Sequence, residues 1–238
     1  MLASPQPAIN VRPLREHSEL DAAVALQRDI WRYEDRDLDS RALLTVAARF
    51  AGQVIGAFDG ERLVGFTLAF ATFPIGRLHS HRLGVHPDYQ SAGVGRKLKL
   101  AQRADALSHG ITVMQWTFDP LQSRNAYFNL VRLGGIATAY LSNLYGITSS
   151  PLHGTLPTDR LLIEWQLESE RVQSILEGGT PRVSKDARQV CLPPDAERHD
   201  PAHQARMREE FLDYLGRGYV VTGFRQDSEP ELYVLEKM

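Results

Sequence analysis

The sequence predicts a mixed α/β fold, and three observations carry that prediction. Strand-like apolar runs alternate with runs of helical periodicity along most of the chain. Asp59-Gly60 sits between two apolar runs, residues 54–58 and 63–70, which is the mark of a tight hairpin. A glycine-bearing loop then joins a strand-like run ending at Val85 to a helical run opening at Gly95.

In chain order, residues 9–14 alternate and contain Pro13, so they read as a strand, and residues 19–31 follow with a helical pattern. The hairpin comes next. Residues 78–85 form a further strand that runs into His86-Pro87. Residues 95–108 read as a helix because Leu98, Leu100, Ala101, Ala104 and Leu107 make an apolar stripe that stops at Gly110. A strand over 111–118 is stopped by Asp119-Pro120, and a helix over 123–133 by Gly134-Gly135. Beyond Tyr140 the pattern loosens into a stretch containing Ser, Asn, Gly and Pro. Leu161, Ile163, Trp165 and Leu167 then alternate with Glu164 and Gln166, as in a half-buried strand. Prolines at 181, 193, 194 and 201 precede a helix in which Met207, Phe211 and Tyr214 share a face before Gly216. Residues 219–224 and 232–235 close the chain as a pair of strands. The expected organisation is a main domain over 1–168 and a C-terminal extension or small lobe over 169–238, with no internal repeat.

Bulk properties narrow the function classes. The chain has 238 residues, 43% hydrophobic and 24% charged, with a formal charge of −2. That balance suits a globular protein and gives no sign of a nucleic-acid binder. No apolar run approaches the roughly 20 residues that span a bilayer, and the opening MLASPQPAIN lacks a secretory signal, so the expected location is the cytoplasm, away from membranes. Cys191 is the only cysteine, which excludes an intramolecular disulfide and a cysteine-based zinc site. It reads as a buried or inert thiol unless a base lies beside it.

The segment LGVHPDYQSAGVGRKLK carries the chemistry. A diphosphate needs several N–H donors converging on it, and a glycine turn feeding a helix N-terminus supplies them together with the helix dipole. Gly93 and Gly95 let the backbone approach without a side chain in the way. Arg96, Lys97 and Lys99 crowd the start of the helix, where cations oppose the dipole unless a polyanion is bound; a solvated surface is the other reading. A dinucleotide-binding fingerprint would need glycine where Leu98 stands, and a Walker loop would need Gly-Lys-Ser/Thr, which is absent.

The run Gln90-Ser91-Ala92-Gly93-Val94-Gly95 after a strand resembles the pyrophosphate motif of the GNAT superfamily of acyl-CoA-dependent N-acyltransferases. The resemblance extends from residue 9 to about residue 140. The longer runs WTFDPLQSRNAYFNLVRLGG, NLYG and PTDRLLIEW resemble a subgroup with a C-terminal extension. It implies a GNAT-like splayed mixed β-sheet flanked by helices, followed by a C-terminal α+β extension. It further implies that Leu83, Gly84 and Val85 lend backbone hydrogen bonds to pantetheine. Gln90 and the loop Ser91, Ala92, Gly93, Val94, Gly95 and Arg96 would hold the pyrophosphate, and Asn125 would pass near the thioester sulfur. The co-substrate would be acyl-CoA, either acetyl-CoA or succinyl-CoA, with no permanently bound cofactor.

Attack of an amine on a thioester needs a neutral amine, a donor for the oxyanion and a proton for the thiolate. Many GNAT members take that proton from a tyrosine four residues before the glycine that ends the helix; counting from Gly134, this position is Leu130. Tyr140 and Tyr145 are the substitutes, with Tyr127 one turn earlier, and packing or substrate contact is the competing role for each. His79 and His81 lie two apart on the strand before the loop, and His81 is the candidate base. A structural histidine, or a His-x-His metal pair lacking an obvious third ligand, are the competing readings. Asp119 and Glu164 are candidate carboxylate partners, against ordinary capping or surface duty. Arg82 and Arg160 are candidates for a carboxylate on the substrate, against a plain surface role.

The expected function is transfer of an acyl group to a primary amine, such as that of an amino acid, a small-molecule acceptor. The alternative is a sensor that binds acyl-CoA without turnover, supported by Leu130. The last lobe either closes the site or forms a homodimer interface.

Overall fold

The computed structural model describes residues 8–73, 76–146, 156–180, 183–198 and 200–237. Pro181, the opening residues 1–7 and residues 147–155 of the loose stretch after Tyr140 lie outside the described residues. The chain divides into two compact units, one within Met1–Thr112 and the other drawn from Val113 to Met238.

The first unit is an antiparallel sheet in the order β1 (Ile9–Pro13), β2 (Gly52–Asp59), β3 (Arg62–Ala71) and β4 (Arg77–Val85). The hairpin forms as expected: Asp59 pairs with Arg62, and Gly60 adopts φ +58° at the turn. Helix α1 (His17–Trp31) starts at a capping box in which Glu19 reaches back to the N–H groups of Arg15 and Glu16. Helix α2 (Arg41–Val46), which the sequence reading left unassigned, is capped by the Ser40 hydroxyl and widens into a π-type turn over Ala47–Ala51. Helix α3 (Val94–Ser108) follows the loop.

Two cores lie on opposite faces of this sheet. Leu20, Ala23 and Leu26 of α1 and Leu44 of α2 pack with Val54, Phe58, Phe66 and Leu68. Val94 and Leu98 of α3 pack with Ile55, Ala57 and Val64. Burying each large apolar side chain contributes about 1.5–3 kcal/mol. In α3 the buried face is Val94, Leu98, Lys99, Gln102 and Ala106, so of the stripe expected from the sequence only Leu98 is fully buried; Leu100, Ala101 and Leu107 are half-buried and Ala104 is exposed. A bulge shifts the register between Ala57 and Phe58 and makes Val64 an extra residue in β3. Val64 therefore faces α3 while Phe66 and Leu68 face α1. A second bulge pairs Leu68 with Arg82 and Ala69 with Ser80, which leaves His81 as the extra residue of β4.

The second unit is a sheet in the order β5 (Val113–Phe118), β7 (Arg160–Gln166), β6 (Ile136–Leu141), β9 (Tyr219–Arg225), β10 (Leu232–Lys237) and β8 (Arg188–Cys191). Helix α4 (Ser123–Ala126) widens into a π-type turn over Tyr127–Arg132, and Gly134 ends it at φ +77°. Helices α5 (Glu170–Leu176) and α6 (Pro201–Gly216) complete the unit. α5, β6 and β8 have no counterpart among the elements expected from the sequence. Trp116 and Trp165 meet edge to face at 5.7 Å, and each indole N–H is satisfied, by Asn129 and by the Leu133 carbonyl. Phe211 stacks on Tyr140 and meets Tyr233 edge-on, which ties α6 to β6 and β10. Among the described residues no helix is long and apolar enough to cross a membrane.

Candidate functional site

The loop between β4 and α3 is fixed at its edges and open at its apex. The His86 N–H donates to the Val64 carbonyl at 2.8 Å, and the Tyr89 hydroxyl donates to Asp59 at 2.7 Å, which ties the loop to the hairpin. The Gln90 side chain donates to the Val85 carbonyl at 3.1 Å. On the far side, buried Val94 and Leu98 root α3 in the core. Ser91, Ala92 and Gly93 are exposed between these anchors. Ser91 (φ +63°) and Gly93 (φ +78°) are both left-handed; for serine that conformation is uncommon and costly.

Gly93 is the N-cap of α3, no side chain caps the helix, and the first intrahelical bond runs from the Lys97 N–H to the Gly93 carbonyl. A helix start of this kind directs its leading N–H groups, here those of Val94 and Gly95, outward with the positive end of the dipole behind them. A Cβ added at Gly93 would meet no atom within 4 Å, so the space beyond its Cα is open. Arg96 is half-buried and Lys97 exposed in the same turn.

Lys99 corrects the sequence reading. It is fully buried, and its ammonium donates to Ser80 Oγ at 2.7 Å and to Gln102 Oε1 at 3.2 Å, so it points into the sheet and away from any anion at the loop. Leu98 and Lys99 both fall on the inward side of α3.

Strand β4 leads into the loop. Leu83 and Val85 pack toward α3, and Gly84 is buried under α1, where a Cβ would lie 2.7 Å from Ile30 Cδ1 and 2.9 Å from Trp31 Cη2. At the bulge, His81 Nε2 stands 3.5 Å from Asp39 Oδ1, and Arg82 Nε donates to Asp39 Oδ2 at 2.8 Å. Arg82 also donates to the Tyr33 hydroxyl at 3.0 Å and lies over the rings of Trp31 and Tyr33. Its guanidinium is thus engaged within the protein. Burial alone would raise the Asp39 carboxyl, but the His81 and Arg82 contacts bring it below its usual range. Burial, then the nearby His81 and Lys99, lower the His79 imidazole to about 4. Asp39 and Tyr33 escaped the sequence reading because a run of charge such as EDRDLDS reads as solvated surface.

The acetyltransferase (GNAT) family model matches residues 20–129, which spans the first unit's helices, the loop and α4. Residues 20–129 form a GNAT acetyltransferase domain. Acyl transfer from acyl-CoA to an amine is the chemistry of this family, and the chain is an acyl-CoA-dependent N-acyltransferase. Solved structures agree on the fold. The ribosomal-protein-S18-alanine N-acetyltransferase from Escherichia coli is 15% identical with a TM-score of 0.54, covering 68% of this chain and 95% of that one. The PaiA N-acetyltransferase from Thermoplasma acidophilum in complex with coenzyme A is 17% identical, TM-score 0.52, covering 67% and 99%. A probable acetyltransferase from Staphylococcus epidermidis ATCC 12228 is 18% identical, TM-score 0.55, covering 66% and 98%. No curated protein matches by sequence.

The remaining GNAT candidates lie in the second unit. Leu130, at the position of the usual tyrosine, is fully buried. Tyr140 is buried, and its hydroxyl donates to Asp159 Oδ2 at 2.7 Å, an oxygen that also accepts from Arg208 Nε at 2.8 Å. Burial first, then Asp159, push the Tyr140 phenol far above its ordinary value, so it holds its proton tightly. Tyr145 is exposed, with its hydroxyl 3.2 Å from Thr117 Oγ1 and the Arg160 guanidinium over its ring. Arg160 is itself buried and donates to the Asp159 carbonyl. Asn125 is exposed on α4, and Tyr127 is half-buried. Asp119 accepts from the Leu121 N–H at 2.9 Å and so caps a turn. Glu164 is half-buried on β7 opposite Gln115 and Ile136. Cys191 is exposed on β8. Among the described residues no cluster of three or more His, Cys, Asp or Glu could hold a metal ion.

Proposed function

We propose that this GNAT protein transfers an acetyl or succinyl group from acyl-CoA to the primary amine of a small molecule, with an amino acid as the leading acceptor class. The observation that carries the reading is the loop apex: two left-handed residues, exposed and unobstructed, open an uncapped helix. Backbone N–H groups from Ser91 to Arg96 hold the pyrophosphate, with Gln90 bracing the loop from below, and Leu83, Gly84 and Val85 offer main-chain groups to pantetheine. Asn125 contacts the acyl-CoA near the thioester sulfur.

The amine nitrogen attacks the thioester carbonyl, the C–N bond forms, and the C–S bond breaks as the thiolate departs. His81 takes the proton that the amine loses. The thiolate takes a proton from a hydroxyl. Of the two tyrosines, Tyr145 is an exposed residue whose hydroxyl meets only the neutral Thr117 hydroxyl among the bonds described, whereas the Tyr140 proton is engaged with the Asp159 carboxylate, so Tyr145 is preferred as acid.

Release of free CoA thiol from acetyl-CoA and from succinyl-CoA, measured against a panel of amino acids, tests the function. Acceptor-dependent release is expected, and Tyr145→Phe should lower kcat about 100-fold. Silence from every pairing in a protein that still binds CoA would favour a sensor.

A further inference from the structure

Neighbouring residues of a regular strand point to opposite faces of the sheet, so a single carboxylate should not be able to receive two consecutive side chains. Yet both His81 and Arg82 converge on Asp39, one on each carboxylate oxygen. The bulge makes this possible, because the extra residue it admits brings His81 to the same side as Arg82. Bulges recur beside active sites, where they re-aim a side chain. Asp39 is held to receive them: its N–H donates to Gln27 Oε1 at 2.9 Å, and Gln27 Nε2 donates to its carbonyl at 3.1 Å. Gln27 is fully buried in α1, so water does not compete for these two bonds. Arg82 already balances the carboxylate charge. The second oxygen is therefore available to orient a ring.

We propose that Asp39 is a positioning residue that accepts from the Nε2–H of His81 and so fixes the imidazole in the tautomer whose Nδ1 carries the lone pair for the amine proton. The inference rests on His81 being the base. The groups that face His81 are Asp39 from the α1–α2 connection, Arg82 and His79 from β4, and Phe70 from β3, whose ring centroid is 6.0 Å away. Lys99 of α3 acts on His79 behind it.

Nitrogen-15 NMR of the intact protein reads the ring directly and without turnover. In the wild type at pH 8, the His81 resonances should report Nε2 protonated and Nδ1 bare. Asp39→Asn can turn its amide NH2 to Nε2 and should switch the ring to the other tautomer. It should also lower kcat about 100-fold while the KM for acyl-CoA stays the same. A wild-type ring protonated on Nδ1 overturns the inference even if the variant fails to fold. A switched tautomer with full activity overturns it as well. Full activity in His81→Gln sinks the base assignment instead, which separates failure of the proposed function from failure of the Asp39 contact.

Discussion

Lys99 sits three residues after the phosphate-loop arginine and would pass in the sequence for one more cation around an anion. Its burial against Ser80 and Gln102 assigns it to the core, and burial pushes its ammonium well below the usual range. If Lys99 were replaced by Met, Ser80 Oγ could still donate to Gln102 Oε1 at 2.9 Å, and the cost of burying an amine would be removed. Lys99→Met should therefore raise the unfolding free energy by about 1–3 kcal/mol and leave the CoA dissociation constant unchanged. Lys97→Ala should weaken CoA several-fold and flatten the salt dependence. Denaturant titration and calorimetry check the pair. His79 makes a second residue-scale prediction. Its folded value of about 4 lies below the unfolded 6.5, so between those values the unfolded chain binds a proton that the folded chain refuses. Stability should rise with pH across that window and fall as the pH drops through it. The urea midpoint should be lower at pH 5 than at pH 7, by a smaller margin in His79→Gln. None of this is legible one residue at a time, because composition cannot tell an inward lysine from an outward one.

The elements that the sequence announced are those whose signals are local. The Asp59-Gly60 hairpin, the helix α3 and the alternating strand β7 each form, although the buried face of α3 runs through Leu98, Lys99, Gln102 and Ala106 and leaves Ala104 of the expected stripe exposed. The elements that were missed lack such a signal. Strand β6 opens IATA, where two alanines blur the alternation, and β8 has four residues of which only Val190 is buried. The bulges leave no trace at all in the sequence, since one extra residue has no period, and they decide where His81 points. The loop was legible as a motif; its left-handed Ser91 was not. At this scale Gly84 offers a packing test: the added methyl of Gly84→Ala must displace Ile30 and Trp31, so α1 should lift from β4 at a cost of about 1–3 kcal/mol. A thermal melt that matches the wild type would mean that α1 is not seated as described.

Across the whole molecule, each unit carries its own strands and helices, and the match to the acetyltransferase (GNAT) family covers residues 20–129. Periodicity can announce that strands and helices alternate, but strand order is set by contacts far apart in the chain. That is why β9 beside β6, with Ala137 opposite Val221, could not be read in advance. What unites the functional account is the claim that main-chain N–H groups at the start of α3 hold the pyrophosphate of acyl-CoA. Titration calorimetry of CoA against the wild type and Gly93→Val tests it most directly. A valine at φ +78° costs about 1–2 kcal/mol of stability and places its side chain in the open space where the anion would lie. The account predicts a clear binding heat for the wild type and at least about a tenfold weaker affinity for a folded Gly93→Val. No heat with the wild type, or equal affinity for the two proteins, would contradict it.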